Sequence, residues 1–230
     1  MDLSKRLSFI CSLVQTGSKV CDVGTDHGYL PAFLYKSGKC QSVCATDIRE
    51  KPLETARKNL ALSGADGVKL YLCDGLDLIT RNMADTVIIA GMGGEVISGI
   101  IDRAPFLRDN TVTLILQPTT SADKLRQYLA DNGFVVVCER AIKDNGKIYS
   151  VMQAHYCGMP YPIDDLRRHI GLLRPDYTDA KEYIKKQHSI IEKRALELKI
   201  SGKNLAQYNR DCLLLAKIEA TLCGEKNNGV

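Results

Sequence analysis

The sequence predicts an α/β fold: a mostly parallel, doubly wound sheet that ends in an antiparallel hairpin, with a helical extension after it. Three observations predict it. Between residues 19 and 132, five short β-rich runs are interleaved with four helical runs. Asn145-Gly146 then separates two further β-rich runs, the signal of a tight hairpin. Beyond residue 162 the β-rich runs stop and helical periodicity takes over.

The elements follow in order. Leu3, Leu7, Ile10 and Val14 recur at helical spacing, interrupted by polar Ser8, Ser12 and Gln15. That pattern predicts an amphipathic helix and no signal peptide. Residues 20–24 read as a first strand and residues 29–37 as a helix, with Pro31 tolerable in its first turn. Residues 42–48 make a second strand. Residues 51–63 carry Leu53, Ala56, Leu60 and Ala61 on one helical face, stopped by Gly64-Ala65-Asp66-Gly67. Strands over 68–73, 86–90 and 113–116 follow, with helices near 95–102 and 121–132. Ser121 is the expected N-cap of the latter. Residues 134–140 and 147–154 form the hairpin.

Gly158-Met159-Pro160-Tyr161-Pro162 marks the boundary between a first domain, 1–157, and a helical unit, 163–224. A short helix over 163–174 is expected to end at Pro175. Runs over 178–200 and 204–222 are separated by Ser201-Gly202. Each has an apolar stripe: Tyr183, Ile184, Ile190, Ile191 and Leu198 in the first, Leu205, Tyr208, Leu215, Ile218 and Leu222 in the second. Two such helices joined by a short link predict an antiparallel, coiled-coil-like hairpin. Residues 225–230 read as a frayed end.

Composition bounds function loosely. The 230 residues are 45% hydrophobic and 25% charged, ordinary for a globular protein. A net charge of +4 permits an anionic partner without specifying one. No stretch approaches the roughly 20 apolar residues that span a bilayer. Nine scattered cysteines include no Cys-x-x-Cys pair and no histidine at zinc-ligand spacing. They predict reduced thiols in a cytoplasm and no metal site.

The chemistry concentrates at strand ends. The stretch Asp22-Val-Gly-Thr-Asp-His-Gly-Tyr-Leu-Pro31 joins the first strand to its helix. Gly24 and Gly28 let the backbone approach a ligand closely. A dinucleotide loop needs a positive helix end facing a pyrophosphate. Here Asp22 and Asp26 flank Gly24 and would repel one; they suit a cationic ligand. Asp47 closes the second strand 25 residues after Asp22, where an acid can hold ribose hydroxyls. Asp74 closes the third, where a carboxylate can accept from an adenine amino group. Acids ending three successive parallel strands share the carboxyl edge of the sheet, the ligand-binding edge of such folds. A sulfonium-bearing adenosine derivative, S-adenosylmethionine, satisfies all three. Ile48, Gly75 and Gly91 complete the expected cofactor set. Gly91-Met92-Gly93-Gly94 ends the fourth strand as an open floor for a flat base, formed by Met92, Gly93 and Gly94. Gln117-Pro118 ends the fifth and adds a polar contact. His155, His169 and His188 read as structural or solvated.

Three of these segments together resemble one family. DVGTDHGYLP at 22–31, IIAGMGGE at 88–95 and LILQP at 114–118 look like the bacterial tRNA adenine-N1 methyltransferases that modify adenine 22. The resemblance spans residues 1–157 by motif and the helical extension by architecture. It implies a Rossmann-like methyltransferase sheet, S-adenosylmethionine as cofactor, tRNA as partner and adenine N1 as the methyl acceptor. Asp26 is then the expected catalytic acid beside the substrate, with His27 orienting or assisting. Lys185, Lys186, Lys193 and Arg194 become candidate tRNA contacts. They belong to a segment, 160–230, that holds 13 Lys or Arg against 10 Asp or Glu. Thr119 departs from the family, where Asn is expected after Gln117-Pro118. A small-molecule methyltransferase and a non-catalytic adenosylmethionine-binding module are the alternative classes. The oligomeric state is left open, and a monomer is compatible with the sequence.

Overall fold

A computed structural model describes residues 3–224; the frayed end expected at 225–230 lies outside them. Helix α1 (Lys5–Leu13) precedes a single seven-stranded sheet. Strands β1 (Lys19–Val23), β2 (Ser42–Asp47), β3 (Lys69–Leu72), β4 (Thr86–Gly93) and β5 (Thr113–Thr120) run parallel. Strands β6 (Phe134–Asp144) and β7 (Lys147–Tyr156) form the antiparallel hairpin. The order is β3-β2-β1-β4-β5-β7-β6, so the predicted Rossmann-like sheet is present. The chain reverses at β1, with β2 and β3 to one side and β4 and β5 to the other, which opens a crevice at the carboxyl edge. Helices α2 (Tyr29–Lys36), α3 (Glu50–Leu62), α4 (Gly94–Asp102) and α5 (Ala122–Asp131) cover the two faces.

Alternation along each central strand builds a core on both faces. Cys21, Val23, Val87, Ile89, Leu114 and Leu116 point into one layer. Val20, Ile88 and Ile115 point into the other, where Ile10 of α1 and Val14 at its C-cap are added. All are essentially fully buried. Each is worth about 1.5–3 kcal/mol against exposure, so α1 is part of the sheet's packing.

Several boundaries differ from expectation, each for a local reason. β4 and β5 do not stop at Ala90 and Leu116. A bulge lets Met92 pair with Pro118 and Gly93 with Thr120, extending β4 through Gly93 and β5 past Gln117. Ser121 occupies the N-cap position of α5, but with φ 52° its side chain caps nothing. Its hydroxyl touches Glu95 instead, at 3.5 Å. The hairpin turn is as expected: Asn145 and Gly146 take φ of 48° and 73°, the left-handed pair a two-residue turn requires.

The short helix after the boundary, α6 (Asp165–Ile170), ends at Gly171 and not at Pro175. A Cβ on Gly171 would sit 1.9 Å from Glu139, so the chain turns there because that residue alone fits. Helices α7 (Thr178–Ser201) and α8 (Leu205–Cys223) form the predicted hairpin. Tyr183, Ile184, Ile191, Leu214 and Ile218 bury a stripe that continues onto Ala141 of β6. Ile190 and Leu205 lie outside it, 51% and 68% exposed. Ile190 is turned away by its neighbour Ile191, and Leu205 sits at the far tip.

A buried ion pair ties this extension to the sheet. Arg126 of α5 donates to Glu139 of β6 at 2.7 Å, both side chains almost wholly inaccessible. Arg126 also donates to the Arg168 and His169 carbonyls at 2.8 and 3.1 Å, and to the Tyr183 hydroxyl at 3.2 Å. The other Glu139 oxygen accepts the Leu172 amide at 2.9 Å. Ser150 of β7 donates to the same Glu139 oxygen as Arg126, so five elements, α5, β6, β7, α6 and α7, meet on one satisfied pair.

Candidate active site

The carboxyl edge of β1, β2 and β4 opens into a cleft of about 620 Å³. The β1–α2 loop forms its back wall. Gly24 and Thr25 donate their amides to the Thr46 carbonyl at 2.8 and 3.0 Å, which folds the loop back over β2. Gly24 has φ 72°, and a Cβ there would meet the Met92 methyl at 2.1 Å. Asp26, a non-glycine at φ 51°, is held in that conformation by its amide, which donates to Asp47 at 3.3 Å. Its side chain is thereby turned out to the cleft, next to His27 at 3.3 Å.

Four aspartates, Asp22, Asp26, Asp47 and Asp74, line the cleft against two arginines, Arg6 and Arg49. Asp22 is the deepest. Burial pushes its carboxyl up to about 6; the Thr25 hydroxyl opposes the shift, and the Asp47 charge adds to it. A buried acid that resists ionisation in the free protein is stabilised by a cation delivered beside it. Asp47 accepts the Arg49 amide at 2.9 Å and keeps further lone pairs for the cleft. Asp74 is half exposed and pairs with Arg103 at 3.0 Å. The set of carboxylate acceptors fits a ligand with positive charge and hydroxyl or amino groups, as S-adenosylmethionine has. Ile48, Gly75 and Gly91 also line the cleft. A Cβ on Gly91 would meet nothing within 4 Å, so that floor is open.

Other expected residues are placed elsewhere. Gly28 does not line the cleft. It caps α2 at φ 73° and packs against Ala56, which a Cβ would meet at 3.0 Å. Of the expected base floor only Met92 faces the cleft. Gly93 lies against Thr120, and Gly94 is buried under the Ser121 carbonyl, 2.2 Å from where its Cβ would be. Gln117 and Pro118 are buried in β5, so neither offers a surface to a substrate. Gln117 Oε1 accepts the Gly91 amide at 3.2 Å and the Arg6 guanidinium. It supports the floor from behind. On the helical hairpin, Lys185, Lys186 and Lys193 are exposed. Arg194 is not a free cation: it makes two hydrogen bonds to buried Asp211 of α8, at 2.6 and 2.7 Å. It clamps the hairpin.

Arg6, Tyr29 and Thr25 are cleft residues that sequence reasoning passed over. Arg6 comes from α1, outside the alternating pattern that carried the reading. It also stacks over the Tyr149 ring at 5.3 Å and lies 3.9 Å from Asp144. Tyr29 stacks on His27, ring centroids 5.5 Å apart, and both are substantially exposed. An exposed aromatic pair at the mouth of an acidic cleft is a platform for a flat ring. An aromatic residue two places after the histidine was the available signal.

Comparisons with known proteins agree with this geometry. The family model described as "Methyltransferase domain" matches residues 3–152. A tRNA (adenine(22)-N(1))-methyltransferase of Bacillus subtilis is 29% identical over 174 residues, 75% of this chain and 73% of that protein. Among solved structures, a putative tRNA (m1A22) methyltransferase of Streptococcus pneumoniae in complex with S-adenosyl-L-methionine superposes with a TM-score of 0.77. It is 28% identical and covers 96% of this chain and 100% of its own. A Streptococcus agalactiae protein of the NADB-Rossmann superfamily gives 0.84 at 28% identity, over 96% of this chain and 98% of its own. With its sheet order, its acidic cleft and a family match over residues 3–152, the chain belongs to the methyltransferase-domain family.

Proposed function

We propose that the protein transfers a methyl group from S-adenosylmethionine to N1 of adenine 22 in tRNA. The observation that carries the cofactor half is the cleft: four aspartates at the carboxyl edge, one of them buried and awaiting a cation. The similarity to the Bacillus subtilis and Streptococcus pneumoniae proteins supports the acceptor. When bound, the cofactor supplies an electrophilic methyl on a sulfonium centre.

The chain's own residues then have simple tasks. Asp22 binds a positive group at the base of the cleft, Asp47 holds ribose hydroxyls and Asp74 accepts from the adenine amino group. Adenine N1 has a free lone pair at neutral pH, so no strong general base is required, only alignment. N1 lies on the pairing edge, so the base must leave its stack to react, and the His27–Tyr29 pair offers a replacement surface. Asp26 accepts from the exocyclic amino group and offsets the positive charge that the methylated ring acquires. His27, 3.3 Å from Asp26, orients it. Lys185, Lys186 and Lys193 of the helical unit, 163–224, contact the tRNA. The nine free cysteines suit a reducing cytoplasm, where this reading places the protein. No helix among the described residues is long and apolar enough to cross a membrane.

The test is incubation with unmodified bulk tRNA and methyl-labelled cofactor, followed by nucleoside analysis and site mapping. N1-methyladenosine at position 22 is the expected product. Label in a small metabolite or in no acceptor would refute the reading.

A further inference from the structure

A second cavity, about 370 Å³, adjoins the cleft and has the opposite sign. It is lined by Thr119, Gly146, Lys147, Ile148, Tyr149 and Lys186, with two cations and no acid. Topology puts it there. β7 runs antiparallel to β5, so the β6–β7 turn lies at the same edge as the carboxyl ends of the parallel strands. Residues of the two linings touch each other. The Thr119 hydroxyl donates to the Met92 carbonyl at 3.1 Å, and Met92 lines the cleft. Tyr149 lies under Arg6, which also lines the cleft.

The groove is firmly built. The β6–β7 hairpin is fixed to α7 by Lys143, whose side chain meets Glu182 at 2.7 Å and whose amide donates to Asp179 at 2.9 Å. Lys186 reaches from α7 to the Ile148 carbonyl at 3.4 Å, which sets its ammonium over the hairpin. Lys147 and Lys186 make no ion pair among the described residues, whereas Lys143 is neutralised by Glu182. The cations at the cleft mouth are also committed: Arg49 to Asp47, Arg103 to Asp74.

We infer that this groove binds the phosphodiester backbone of the RNA segment flanking the target base, with Lys147 and Lys186 as its phosphate contacts. A base entering the cleft brings anionic phosphates to its mouth, where exposed Asp26 and Asp74 repel them. The adjoining wall with uncompensated positive charge is the groove. The inference rests on the tRNA reading but is tested separately from it.

The experiment measures binding of a tRNA transcript and methyl transfer to it, for wild type, Lys147→Ala, Lys147→Ala/Lys186→Ala and the double Arg replacement, over a range of salt. Lys58→Ala on α3, exposed and outside both cavities, is the control. The double Ala variant should bind tRNA about tenfold or more weakly near 0.1 M salt, with a salt dependence shallower by about two phosphate contacts. Lys147→Ala alone, which breaks no hydrogen bond of the fold, should lose about half of that slope change. Cofactor affinity should stay at the wild-type value, and the Arg variant should restore tRNA binding. Wild-type affinity and slope in the double Ala variant would overturn the groove. Failure of the wild type to methylate tRNA would overturn the tRNA reading instead, because the binding titration does not depend on turnover.

Discussion

Arg6 of α1 and Gln117 of β5, 111 residues apart in the chain, share a hydrogen bond directly behind the cleft floor. The same Gln117 oxygen accepts the Gly91 amide, so one buried side chain couples the first helix to the loop expected to underlie the cofactor. Replacing Gln117 by Leu keeps the volume and strands both donors. Stability should fall by about 1–3 kcal/mol, the cost of an unsatisfied buried polar group. Cofactor affinity, read by calorimetric titration, should fall with it, because Gly91 loses its tether. An unchanged affinity would show that Gly91 is positioned without Gln117.

Asp22 makes the pH dependence specific. Its carboxyl is raised from the ordinary 3.8 to about 6, chiefly by burial. Between those values the folded protein holds a proton that the unfolded chain has released. Stability of the ligand-free protein therefore declines as pH rises from about 4 to 6, by at most about 3 kcal/mol. Asp22→Asn should abolish that decline and stabilise the free protein at pH 7 while weakening cofactor binding. In the wild type, cofactor affinity should rise with pH up to about 6, since a cationic ligand needs the ionised form. Urea melts and binding titrations from pH 4.5 to 7.5 measure both; a flat affinity profile would remove Asp22 from the cation site.

The glycines of the Gly91–Gly94 run should separate by substitution. Ala at Gly94 would drive a methyl to 2.2 Å from the Ser121 carbonyl, a clash with backbone that cannot swing away. A loss of about 3 kcal/mol or more is expected. Ala at Gly91 meets nothing and suffers only from φ 81°, about 1–2 kcal/mol. Its effect should appear in cofactor affinity more than in the melt. Equal destabilisation by the two would contradict the assignment of Gly94 to packing and Gly91 to the floor.

The Arg126–Glu139 pair should govern how the helical extension docks. Glu139→Ala leaves a buried guanidinium without its counter-charge and should cost about 3–5 kcal/mol. Removing both charges, as Arg126→Met/Glu139→Leu, should recover part of that loss. Full recovery is not expected, because the Arg168 and His169 carbonyls and the Leu172 amide also lose partners. Denaturant melts give the energies, and cofactor affinity should be unaffected. A double variant worse than Glu139→Ala would mean that the hydrogen bonds outweigh the charge.

The sequence by itself determined the element order, the hairpin at Asn145-Gly146 and the row of acids at the strand ends. Those features are local. Periodicity reports which face of an element is apolar, and an acid that closes a parallel strand can only lie at its carboxyl edge. Asp22, Asp26, Asp47 and Asp74 accordingly meet in one cleft. Which of the other candidates face that cleft was decided by the tertiary structure alone. Gln117 reads as a polar substrate contact at a strand end until the β4 bulge carries β5 past it and buries it. Gly94 and Gly28 read as ligand glycines until a neighbouring carbonyl and Ala56 occupy the space beside them. Arg194 reads as a free cation until α8 brings Asp211 alongside. In each case a partner distant in sequence sets the role, and a pairing of that kind leaves no spacing to read.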